Sequence, residues 1–369
     1  MGDERVSARH AIYMNTLFLL GSSAVMGVNS SARQDSWIAL LLTALIAFPF
    51  FMIYARILQL YPEKSFFEKL DLLMGPILGK VMTLLMSWFA LHLCALVLRN
   101  FSEFIVVTLM PETPQLPVVL AMVLVVSYLA KSGPETFGRW ASFVFPFVTL
   151  ISLLTALLSL SEMKFDRILP ILQDPAKVLS GTQSLLTFPF LELVIFLCAA
   201  GGLRKGENPY KTYRYSLLLG TSIMLIILLR NIFTMGPFLM SDEYFPSFFS
   251  ARVINLGSLL TRVEGSIAMN FILAGIAKIT MCLWAATKGG AHLFGISSYQ
   301  RLLMPMALLA AVLSTAVYTN ITASFDFLEI YQYYALPFEI GIPVVLWILL
   351  EIRVRRQRSA AQTISAEEA

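Results

Sequence analysis

Five consecutive residues, Phe188-Pro189-Phe190-Leu191-Glu192, set a proline and a carboxylate inside the otherwise apolar stretch 181–202. Pro189 has no N–H to donate and clashes with the preceding turn, so a helix kinks or breaks there. Glu192 would place an ionisable group near the middle of a membrane span, at a cost of about 2.5–3.5 kcal/mol on insertion scales. Broken backbone and a buried carboxyl persist together where they line a cavity and hold something. The plainer account is a proline kink beside a neutral carboxyl. Glu192 has three roles open to it: it can accept a ligand's ammonium, pair with a protein cation, or sit protonated. Lys278, deep in another apolar stretch, is the most available cation, unless its long side chain snorkels out to the cytoplasmic side.

Other residues could contribute. Gly21, Ser22, Ser23 and Ala24 are small enough for a ligand to approach the backbone, or for two helices to pack closely. Phe188 and Phe190 could wall a pocket or belong to ordinary core. His92, Arg99 and Glu103 are spaced seven and four apart and share one helical face. Arg99 and Glu103 would neutralise each other in a structural salt bridge; with His92 they would otherwise mark a hydrated path. Arg262 and Glu264 lie near an outer mouth and could form a gate or partner contact. Glu339, after Pro337, faces inward with no partner assignable, and Arg230 could reach the headgroups. Cys94, Cys198 and Cys282 sit in apolar runs without metal-ligand spacing and read as packing residues. No catalytic triad, metal-ligand set or phosphate loop is present, so neither an enzyme, a metal nor a cofactor is expected.

The composition supplies the setting for these residues. The chain has 369 residues, 57% hydrophobic and 14% charged, with a mean hydropathy of +0.75. Soluble proteins carry about 25% charge, so an all-α polytopic membrane protein is expected. Ten spans can be drawn, near 10–30, 36–60, 80–110, 115–131, 135–160, 182–203, 210–238, 257–287, 301–320 and 325–352. Residues 353–369 form a basic, then small and polar, tail expected to be disordered. Lysine and arginine crowd one face of the spans. The other face carries only Arg33, Lys164, Arg167, Lys177, Arg252 and Arg262, with Arg99, Arg230 and Lys278 left inside the membrane. Both termini are therefore expected in the cytoplasm.

The linker 161–181 divides the spans into five-helix halves, 10–160 and 182–352, that enter the membrane from opposite sides, as inverted repeats require. Span 1 is expected to break at Gly21-Ser22-Ser23 and span 6 at Phe188-Pro189-Phe190. Interrupted spans at matching positions point to a midplane site. The free N–H end of a half-helix favours a carboxylate and the free carbonyl end an ammonium.

Motifs along the whole chain resemble those of the B subunits of bacterial spore germinant receptors, the spore germination permease family of the amino acid–polyamine–organocation superfamily. They are Leu20-Gly21-Ser22-Ser23, Asp35-Ser36-Trp37-Ile38, Thr113-Pro114, the stretch 133–139, Leu169-Pro170-Ile171-Leu172, the Phe-Pro-Phe-x-Glu at 188–192, and Arg262-Val263-Glu264. Two positions depart from the pattern: Ser23 stands where a second glycine is usual, and Phe271 where tryptophan is frequent. The resemblance implies a LeuT-like bundle with spans 1 and 6 interrupted, in the inner membrane of the spore. It implies a small germinant, commonly an amino acid, as ligand rather than nucleic acid. An A-subunit channel protein and a C-subunit lipoprotein would be its partners. It also suggests that the Lys278 ammonium stands where sodium sits in sodium-coupled relatives. A secondary amino-acid transporter with the same pocket is the other expectation.

Overall fold

The computed structural model describes residues 5–26, 30–252, 263–318 and 320–367. Among them the chain is almost entirely helical: α1 (Ala8–Met26), α2 (Ser36–Gln59), α3 (Phe66–Phe104), α4 (Gln115–Lys131), α5 (Pro134–Leu158), α6 (Pro175–Leu185), α7 (Ile195–Ala199), α8 (Pro209–Met235), α9 (Pro237–Asp242), α10 (Pro246–Arg252), α11 (Val263–Leu293), α12 (Leu303–Ala316), α13 (Ile321–Leu336) and α14 (Ile342–Glu367). Seven helical stretches are long and apolar enough to cross a membrane. α1 and the shorter apolar helices α4 and α12 match the other three expected spans, so ten crossings remains an expectation.

Local chemistry sets the helix ends. Asp174, Asn208 and Asn320 cap α6, α8 and α13 by accepting backbone N–H bonds in the first turn. The bond from the Lys177 N–H also holds the Asp174 carboxyl below its usual range. Ser65 and Glu68 form a reciprocal capping box. It starts α3 at Phe66, well before the expected 80, and Gly75-Pro76 kinks the helix at a φ of +78° without ending it.

Two more expectations need correction. α1 runs as unbroken helix through Gly21-Ser22-Ser23 to Met26, so span 1 carries no interruption there. The side chains of Ser22, Ser23 and Ala24 lie outside the described residues. The tail expected to be disordered continues α14 as helix to Glu367, consistent with the good helix formers Arg, Gln and Ala in that stretch.

The core sits where α11 passes between α3 and α1, with α8, α5 and α2 around them. Small residues permit this approach. A Cβ on Gly275 would run into the Phe101 ring, and one on Gly289 into Ser87. At the far end of the bundle from the termini, the linker is tied to the turn before α2. Gln34 donates to the Pro170 carbonyl at 3.1 Å, and the Leu172 N–H donates to Asp35 at 2.9 Å. Two of the motifs singled out in the sequence therefore meet across 137 positions. Near the termini, Arg56 pairs with Glu351 at 2.5 Å and the Tyr61 hydroxyl lies 2.7 Å from Gln357.

Gly275→Leu is expected to destabilise the purified protein by about 1–3 kcal/mol through overpacking. Gly265→Leu, in the same helix but facing open space, should stay within about 0.5 kcal/mol. Thermal unfolding in detergent reads both, and equal melting temperatures would show that α11 does not need its small face.

Candidate functional site

Span 6 breaks where the sequence places its proline. α6 gives way to a wide turn over Leu186–Phe190, then a tight turn over Leu191–Val194, before α7. Phe188 lies at φ −133° and ψ 107°, outside the helical region. A residue that precedes proline is pushed toward extended backbone by the proline ring, so Pro189 dictates the break one position upstream. Pro189 and Phe190 are buried. The break brings Glu192 into the interior with no exposure at all.

There Glu192 meets Lys278 of α11, which is equally buried. The Lys278 ammonium donates to Oε2 at 2.5 Å, and the Tyr331 hydroxyl of α13 donates to Oε1 at 2.7 Å. The ammonium also lies 4.7 Å from the centre of the Phe188 ring and 5.1 Å from that of Phe18 on α1. Both distances suit cation–π attraction. Tyr331 stands edge-on to Phe188 at 6.0 Å. Of the three roles open to Glu192, the structure realises pairing with a protein cation, and Lys278 does not snorkel.

Gly21 completes the arrangement from α1. A Cβ there would lie 2.9 Å from the Lys278 Cβ and 3.1 Å from the Ala274 carbonyl oxygen. Gly21 therefore packs α1 onto α11 beside the ion pair. Because α1 is unbroken, it offers no free backbone groups at this level; the loose backbone belongs to span 6.

The other predicted residues fall in different places. Arg99 and Glu103 pair with each other at 3.1 Å. His92 does not join them; its ring stacks on Trp88 at 5.7 Å and meets Phe327 and Tyr334 edge-on. Glu264 is half-buried in the first turn of α11, and Arg262 lies outside the described residues. Sequence reasoning missed Tyr331, Phe18 and Tyr54, whose hydroxyl donates to the Glu339 carbonyl at 2.6 Å. Phe327, Tyr331, Tyr334 and Phe338 recur at helical spacing, a signal that could have drawn attention to that face.

Two of the clefts among the described residues lie beside features named above. A small one adjoins the ion pair, with a cavity volume of about 10 Å³, room for about one water; Phe188, Tyr331, Phe327, Leu96, Val97 and Asn100 line it. A larger one, with a cavity volume of about 130 Å³, lies at the end remote from the termini, among Arg33, Asp35, Asp174, Lys177 and Phe238. The described residues hold no group of three or more His, Cys, Asp or Glu side chains placed to bind a metal.

Residues 5–324 match the family model for spore germination protein. The chain belongs to the spore germination permease family. Spore germination protein KB of Bacillus subtilis is 27% identical over 368 residues, covering 98% of each chain. Spore germination protein YndE of the same organism is 25% identical over 263 residues, covering 70% of this chain and 72% of the other. Among solved structures, MhsT in complex with L-phenylalanine superposes with a TM-score of 0.67 at 12% identity, over 94% of this chain and 89% of the other. The Eremococcus coleocola manganese transporter gives 0.54 at 13% identity, over 94% and 83%. The permease thus has the LeuT fold, is a multi-pass membrane protein, and belongs with non-enzymes.

Removing one partner of a buried ion pair strands the other charge, at about 3–5 kcal/mol. Lys278→Met should therefore lower the stability of the permease by that amount. Glu192→Gln combined with Lys278→Met should recover most of the loss, because neither charge then remains. A thermal-unfolding double-mutant cycle reads the coupling; additive losses would mean that the two groups do not meet.

Proposed function

We propose that this permease is the germinant-binding B subunit of a spore germinant receptor. Its germinant would be a small zwitterion, an amino acid being the favoured class, bound at mid-membrane beside the break in span 6. The observation that carries this reading is the dry Glu192–Lys278 pair set directly against broken backbone and an adjoining aromatic cleft. Such a carboxylate already binds an ammonium. A ligand ammonium of the same chemistry can compete with Lys278 for it. Phe188 and Phe190, on either side of Pro189, would face the ligand's side chain, while Gly21 keeps α1 close. Gly21 would then bound the pocket by letting α1 pack close and not through a helix break.

On this reading ligand binding favours one of two conformations, and partner subunits read the shift. An A-subunit channel protein and a C-subunit lipoprotein are the expected partners in the inner spore membrane. The two halves, 10–160 and 182–352, would be inverted repeats, with ten crossings and both termini in the cytoplasm. The lysine and arginine bias supports that orientation. Arg262 and Glu264 would serve at the outer mouth, and the Arg99–Glu103 pair along α3.

The fold shared with transporters favours one second reading, alternating-access transport of the same ligand. Reconstituted liposomes separate the two: sustained uphill uptake of an amino acid by the chain alone would replace the receptor reading with transport.

A thermal-shift screen of the purified chain against the twenty amino acids, nucleosides and sugars should find its stabilising ligands among the amino acids. In spores, Glu192→Gln and Gly21→Leu should each shift the germinant dose–response at least tenfold while the protein stays in the membrane. Gly21→Leu acts by pushing into the Lys278 side chain. Unaltered dose–response curves in both variants would move the site elsewhere.

A further inference from the structure

Glu339 is a second fully buried carboxyl in the same region. It lies on the wide turn Pro337–Gly341, between α13 and α14. Its backbone carbonyl is held by the Tyr54 hydroxyl at 2.6 Å. Its carboxyl is not held: neither oxygen has a hydrogen-bond partner among the described residues. Glu192, no less buried, has a donor on each oxygen.

The groups around Glu339 leave one way to balance the charge. Glu192, from span 6, and Lys278, from α11, are both within electrostatic range of it. α13 presents Tyr331 and Tyr334, and α2 presents Tyr54. α3 presents the Phe89 ring, stacked 4.8 Å from Phe338, and His92, whose ring meets Tyr334 rather than the carboxyl. α14 has no titratable side chain before Glu351, which is engaged with Arg56. Two carboxyls thus share one ammonium, and that ammonium bonds Glu192. An ionised carboxylate without a donor or counter-ion in such a medium is far costlier than the neutral acid. A bound sodium ion would need several oxygens converging on the site, whereas a proton needs only the carboxyl itself.

We propose that Glu339 is a proton-binding site: the native permease holds one proton there, and that proton keeps Lys278 committed to Glu192. Ionised, Glu339 would compete with Glu192 for the single ammonium, loosening the pair at the break in span 6. Burial and charge balance act at Glu339 whether or not the chain binds a germinant.

Infrared spectroscopy of the full-length protein in lipid at neutral pH tests it. The wild type should show the carbonyl stretch of a buried protonated carboxylic acid, absent from Glu339→Gln and retained in Glu351→Gln. A native state that holds a proton which the unfolded chain releases loses stability as pH rises. Between pH 6 and 8 the wild-type folding equilibrium should therefore weaken by about tenfold per pH unit more than that of Glu339→Gln. Absence of the band from the wild type, or its persistence in Glu339→Gln, would overturn the proposal. So would loss of the band when sodium is added at constant pH, because the site would then belong to the metal ion. Failure of Glu339→Gln to fold counts against it too, since a neutral amide should be tolerated where a neutral acid stood.

Discussion

The bond between Glu192 and Lys278 is the constraint around which the interior is arranged. Neither charge can remain alone at zero exposure, because an unpaired ion in a dry interior costs several kcal/mol. Each therefore holds the other, and with it the element that carries it. Glu192 fixes the broken segment of span 6 and Lys278 fixes α11. The Tyr331 hydroxyl draws in α13. Phe18 and Gly21 bring α1 against the lysine stem. A buried ion pair is seldom a source of net stability, since apolar residues of the same volume would often do as well. In this packing both charges are satisfied together.

The break in span 6 follows from the same economy. A helix interrupted in lipid must have its free backbone groups shielded by protein. The break is walled by α1, α2 and α13, and the Tyr54 hydroxyl lies 3.4 Å from the Leu191 carbonyl and 2.6 Å from that of Glu339. One phenol thus reaches both irregular segments, the break in span 6 and the wide turn before α14. The two irregularities sit together around that one hydroxyl of α2.

What could be read from the sequence was what local chemistry decides. Pro189 forces Phe188 out of the helix by contact between neighbours, and Asn208 caps its own first turn, so neither needs the fold in order to be seen. What could not be read was decided by distant residues. Gly21-Ser22-Ser23 has weak intrinsic helix preference, which suggested a break. α11 packs against Gly21 closely enough to favour helix there, and packing overrides propensity. Lys278 was legible as a cation deep in its span, but only the crossing of α11 and span 6 decides that it meets Glu192 instead of snorkelling. Glu339 was legible as an inward carboxyl, and its lack of any donor is a fact of the assembled bundle. Arg99 and Glu103 met as expected because four positions on one helix bring them together without help.

The ion pair also constrains how a ligand could act. A ligand shifts a conformational equilibrium only by its difference in affinity for the two states. In the packed state Glu192 already has an ammonium, so a molecule that merely fills the adjoining cleft gains nothing from that carboxylate. On the proposed reading, a molecule bringing its own ammonium would take over Glu192 as Lys278 withdrew, and it would then bind an opened state with an interaction absent from the packed one. To move such an equilibrium from one part in a hundred to ninety-nine takes a preference of about 5.5 kcal/mol. One charge-assisted hydrogen bond supplies about 1.5–3 kcal/mol of that, so the remainder must come from the ligand's other groups against the aromatic wall and the broken backbone. A zwitterion with a side chain has all three. A bare amine lacks the anion, and an uncharged sugar lacks the ammonium that would release Lys278.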